Sequence, residues 1–213
     1  MPKNKPWEQK PPGRRPAETR ERRRVLIVCE DTKSACHYFE AFKIDPKRAE
    51  VFPVGTGMNT DSLVEEAIKL SRQADQAGRP YSEVWCVFDR DSFPLENYCR
   101  AFDLARARGI RVAWANEAFE LWYLLHFNYH DTGISRHDYN ASLKQSGLEY
   151  DKSDDEIYAK VKDRQETAFK YARRLEKHWN EMGERFPERQ NPSTSIHKLV
   201  EFLNELAELG DVD

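Results

Sequence analysis

Apolar positions fall into short unbroken runs separated by longer amphipathic stretches. Val25-Leu26-Ile27-Val28-Cys29 is apolar at every position and ends at Glu30. A strand buried on both faces requires that pattern. Val51–Val54 and Val84–Phe88 repeat it, and Ile110–Ala115 does so apart from Arg111. Between these runs the apolar spacing changes to that of a helix. Thr32–Lys43 carries Ala35, Tyr38, Phe39 and Phe42, and Thr60–Ala77 carries Leu63, Val64, Ala67, Ile68 and Leu70. Leu95–Arg108 reads as a third helix, stopped by Gly109. Asn116 is a suitable N-cap for a fourth helix, Glu117–Phe127. This alternation predicts an α/β fold: a parallel sheet of about four strands with helices on both faces.

The pattern changes after Phe127. Asn128–Asp155 is polar and turn-rich. Glu156–Arg185 reads as one long charged helix or a broken pair, and Gln190-Asn191-Pro192-Ser193 caps a last helix near Thr194–Leu209. The expected organisation is a disordered basic arm (1–22), an α/β core (23–127) and a helical C-terminal extension packing on it (128–213).

Composition narrows the functional classes. Apolar residues make up 39% and charged residues 33%, which gives a very polar surface. No stretch is long and apolar enough to span a membrane, and the basic N-terminus lacks an apolar signal core. Cytoplasmic residence is therefore expected. Cys29, Cys36, Cys86 and Cys99 form no CxxC pair and are expected to be reduced thiols. The net charge of −3 is unevenly spread, because residues 1–24 hold nine Lys/Arg against three Glu. A basic arm on an acidic body suits contact with nucleic acid. Arg14, Arg15, Arg20, Arg22, Arg23 and Arg24 are its candidate phosphate contacts, and Arg90 is another.

The candidate chemistry is acidic. In an open parallel sheet, ligands bind outside the carboxyl ends of the strands, where the strand order reverses. Glu30 directly follows the first strand, and Asp89 and Asp91 follow the third. With four βα units those strands are expected to be central neighbours, so that three carboxylates converge. Oxygen ligands of this kind suit Mg²⁺ or Mn²⁺. Such an ion stabilises charge on phosphoryl oxygens and activates a nucleophile.

The run Val25–Glu30 with Asp31-Thr32-Lys33 is similar to the first motif of topoisomerase–primase (Toprim) domains, and Asp89-Arg90-Asp91 to their DxD motif. The segments Phe88–Phe93, Asn116–Phe127 and Asn191–His197 resemble the RloB-like family of abortive-infection proteins, the FELW…LLHF pattern of the middle segment most specifically. That resemblance spans about residues 23–205. It implies a Toprim-like fold and a nuclease acting in bacterial defence against phage, often alongside an ATPase of the ABC or AAA type. It further implies that Glu30 is an acid/base or a ligand, and that Asp89 and Asp91 are Mg²⁺ ligands. Asp31 stands where many Toprim motifs have Gly.

Further candidates are weaker. Glu120 sits among Phe119, Leu121, Trp122 and Leu124, and a buried carboxylate needs a partner; Glu117 precedes it by one helical turn. Lys33 could neutralise charge on a phosphoryl group. Gly55-Thr56-Gly57 offers backbone N–H groups to a phosphate, although a lone GxG is a weak signal and a plain turn explains it better. His126 and His130 are weak zinc candidates, and His197 and Lys198 could reach the crevice. Two competing readings remain: an inert Toprim-derived module that regulates a partner, and a receiver-like phospho-acceptor. The receiver needs Ser or Thr after the fourth strand and Lys after a fifth.

Overall fold

A computed structural model describes residues 22–47, 49–58, 60–90 and 94–208. Asp91 and the arm positions Arg14, Arg15 and Arg20 lie outside the described residues. The sheet order is β2-β1-β3-β4-β5. Strands β1 (Arg23–Cys29), β2 (Ala49–Gly55), β3 (Glu83–Asp89) and β4 (Arg111–Asn116) run parallel. β5 (Ser193–Thr194) joins β4 antiparallel. The first and third strands are thus the central neighbours that the acidic reading needs. The architecture is the Toprim-like α/β arrangement expected, with one more strand.

Successive side chains of a strand point to opposite faces, and the buried runs divide accordingly. Val25, Ile27 and Cys29 of β1, with Trp85 and Val87 of β3, enter one core. Leu26 and Val28, with Val84, Cys86 and Phe88, enter the other. The second core is closed by α2 (Thr60–Gln76) and α3 (Leu95–Ala107). The first is closed by α1 (Ser34–Glu40) and α4 (Glu120–Leu125), and it continues into α5 (Tyr139–Gln145), α6 (Ile157–Val161), α7 (Gln165–Glu181) and α8 (Ile196–Glu208). Tyr38 centres this side. Its ring meets Phe119, Trp122 and Tyr123 edge-on or tilted, with centroids at 6.0, 6.5 and 5.9 Å, and Tyr158 at 5.3 Å. Such pairs add about 0.5–1.5 kcal/mol each beyond their burial, so they lock α1, α4 and α6 together behind the site.

Some local expectations need correction. The helix after β4 begins at Glu120, not Glu117, because Asn116 is still in the strand opposite Ser193. The Asn116 side chain donates to the Pro187 carbonyl at 3.3 Å instead of capping a helix. Of the two arrangements expected for the long charged segment, the broken pair forms, interrupted by a 3-10 turn at Lys162–Arg164, since α6 packs on α1 while α7 packs on α4. β5 escaped notice because it is polar. Its pairing leans on side chains: the Thr194 hydroxyl donates to the Trp114 carbonyl at 2.8 Å, and the Trp114 amide donates to Ser195 Oγ at 3.0 Å. Helix α5 lies in the stretch read as turn-rich. Among the described residues, no helix is long and apolar enough to cross a membrane, and all four cysteines are free.

Candidate active site

Glu30 is held on every side by the ends of the central strands. Its amide donates to the Val87 carbonyl at 2.9 Å, and its carbonyl accepts from the Gly57 amide at 2.8 Å. Its carboxylate (Oε2) accepts the Asp89 amide at 3.0 Å. The two acids foreseen at adjacent strand ends are therefore directly joined. They share a cleft of about 310 Å³ lined also by Asp31, Phe119, Met58 and Arg136. The cleft's other wall depends on a glycine. A Cβ on Gly55 would stand 2.5 Å from Thr32 Cα and 2.8 Å from the Asp31 carbonyl oxygen, so the turn after β1 can lie against β2 only because Gly55 has no side chain.

Asp89 titrates well above the ordinary carboxylate range. Burial is the main cause, and the negative charges of Glu120 and Glu30 reinforce it. Arg136 and the Phe119 amide act in the opposite direction. Glu120, 4% exposed, opens α4 and faces this site. Its Oε1 accepts the Tyr150 hydroxyl at 2.8 Å and lies 3.6 Å from Lys152 Nζ. The Tyr150 hydroxyl also meets Ser34 Oγ at 2.8 Å, which ties Glu120 to the start of α1.

Sequence reading missed Arg136, Tyr139 and Tyr150. All three come from the polar stretch after Phe127, where no periodicity marks them. Arg136 reaches Asp89 Oδ2 at 3.5 Å, and its amide donates to Glu117 Oε2 at 3.0 Å. Tyr139 is fully buried beside Asp89, Glu117 and Glu120, and its hydroxyl proton has no acceptor among the described residues.

The other candidates lie elsewhere. Lys33 is exposed, outside the cleft lining; its amide donates to Asp31 Oδ1 at 2.7 Å. The Gly55–Gly57 amides serve a plain turn, with Thr56 N–H on the Cys29 carbonyl at 3.0 Å and Gly57 N–H on Glu30. His126 is fully buried, with Nδ1 2.8 Å from the Trp122 carbonyl, and burial lowers its pKa to about 4. His197 and Lys198 do not reach the crevice; both face Glu176, at 3.7 and 2.6 Å. Arg22 and Arg24 pair with Glu50 at 2.6 and 3.5 Å, and Arg23 is exposed beside them. These three stand at the opposite end of β1 from Glu30, roughly 20 Å away at the rise of a strand. Arg90 lies over the Tyr98 ring at 5.5 Å. The receiver-like reading lacks its parts: β4 ends in Asn116, and the fifth strand is antiparallel and followed by Ser195.

Among the described residues, no three His, Cys, Asp or Glu side chains are grouped as an all-protein metal cage. Glu30 and Asp89 nevertheless fit Mg²⁺, which is typically held by one or two carboxylates, substrate phosphate and water. The sequence model of the RloB-like protein family matches residues 25–203. No curated protein and no solved structure matches the chain.

Proposed function

The chain belongs to the RloB-like protein family, and from that membership and the cleft geometry we propose that it is a Mg²⁺- or Mn²⁺-dependent nuclease. The observation that supports this reading best is the Glu30 carboxylate bonded to the Asp89 amide on the floor of an open cleft at the strand ends. Glu30 and Asp89, with Asp91, would hold the ion. A bound divalent cation supplies charge neutralisation at phosphoryl oxygens and an acidified water.

The protein's own groups do the rest. The backbone bonds around Glu30 fix its carboxylate, so it is placed to take a proton from an attacking water. Glu120 acts at one remove. Tyr150 and Lys152 hold it, and its charge raises the affinity of Asp89 for a cation or a proton. Arg136 brings a positive charge to the same cleft for the anionic substrate. A role in anti-phage defence and an ATPase partner of the ABC or AAA type follow from what the family resemblance implies, and belong to the same proposal.

Purified chain incubated with RNA and with DNA, in Mn²⁺ and in EDTA, tests this reading. Cleavage that requires the metal and is lost in Asp89→Asn is the expected result. If folded wild-type chain together with its ATPase partner cleaves neither polymer, the inert regulatory module becomes the better reading.

A further inference from the structure

The segment carrying Arg136 is built into the cleft from outside the α/β core. Ile134, Tyr139, Leu143 and Leu148 anchor it in the same core as α4. Within it, Ser135 Oγ donates to Asp138 Oδ2 at 2.6 Å, and the Asp138 amide returns to the Ser135 carbonyl at 2.9 Å. With the Arg136 amide on Glu117, the backbone at this position is fixed, while the guanidinium remains one-third exposed over the cleft.

Its contact with Asp89 is 3.5 Å, longer than the 2.7–2.9 Å of a tight charge-assisted bond. The acid it reaches also faces Glu30 and Glu120. Tyr139, three residues along, lies beside Asp89 and Glu120 with its hydroxyl proton unaccepted by any described group. A cation holding one member of an acidic set competes with a divalent ion for it. A guanidinium is also the side chain best shaped to grip a phosphate. Resting on the nuclease reading above, we propose that Arg136 is an exchangeable counter-ion: it neutralises Asp89 in the metal-free cleft and transfers to a phosphodiester oxygen of the nucleic acid when Asp89 engages a divalent ion.

Full-length wild type, Arg136→Gln and Arg136→Lys test this without turnover. Calorimetry with Mn²⁺ alone reads the competition, and fluorescence anisotropy with single-stranded RNA and DNA, in Ca²⁺, reads the phosphate contact. Removing one unit charge a few ångströms from the ion should tighten Mn²⁺ binding of Arg136→Gln about fivefold. The same variant should bind the oligonucleotides about tenfold more weakly, as expected for loss of a charge-assisted contact. Arg136→Lys keeps the charge, so its Mn²⁺ affinity should stay near wild type, while its oligonucleotide affinity falls between the other two. Wild type that binds Mn²⁺, with Arg136→Gln binding it no more tightly and the oligonucleotides unchanged, overturns the exchange and leaves Arg136 a structural ion pair. Wild type that binds no Mn²⁺ sinks the metal reading itself, and the exchange with it.

Discussion

Glu30 offers the sharpest perturbation, because two substitutions there separate charge from hydrogen bonding. Its carboxylate accepts the Asp89 amide in a partly buried position. Glu30→Ala leaves that amide without this acceptor, at a cost of about 1–3 kcal/mol. For a chain of this size, each kcal/mol is worth about 2–4 °C in Tm, so Glu30→Ala should melt about 2–12 °C lower. Glu30→Gln keeps a carbonyl at the same place. It gives up only the excess of a charged acceptor over a neutral one, about 1 kcal/mol, and it relieves repulsion with Asp89. Its Tm should lie within about 4 °C of wild type. Activity should behave differently. A positioned acid/base contributes about 10²–10⁴-fold, or about 2.7–5.4 kcal/mol of barrier, and both substitutions should remove it. Melts by circular dichroism, paired with Mn²⁺-dependent cleavage of a labelled oligonucleotide, read both quantities on one sample. Full cleavage by a folded Glu30→Gln would refute the catalytic argument. Equal destabilisation by Gln and Ala would refute the structural one.

The Asp89 carboxyl has a raised folded-state pKa, caused first by burial and then by Glu120 and Glu30. Stability from its neutral form is complete below the ordinary value and is lost as pH rises through the raised one. In EDTA, wild type should therefore lose Tm with rising pH, and Asp89→Asn should lose less; parallel pH slopes for the two would contradict this. Gly55→Ala forces a Cβ against Thr32 Cα and the Asp31 carbonyl. Both are backbone atoms that cannot rotate away, so a loss of about 1–3 kcal/mol is expected, with weakened Mn²⁺ binding by calorimetry; a Tm within a degree of wild type would show that the turn yields freely.

The sequence by itself determined the strands of the parallel sheet and hence the place of two acids. Val25–Cys29 and Val84–Phe88 are apolar at every position, which only a strand covered on both sides tolerates. The first polar residues after them, Glu30 and Asp89, must then emerge at the strand ends. The central pairing of the first and third strands was legible too, since alternating strands and helices lead to few arrangements. Tertiary structure decided what surrounds those acids. Arg136, Tyr139 and Tyr150 come from a segment without periodicity, and their roles depend on where Ile134 and Leu143 dock it, a contact between distant parts of the chain that leaves no local mark. The same holds for β5, where the hydroxyls of Thr194 and the adjoining Ser195 bind β4 in place of an apolar run. Arg22 and Arg24 show the converse. Their charge was plain in the sequence, but the direction of β1 carries them to the far end of the sheet, where Glu50 engages them.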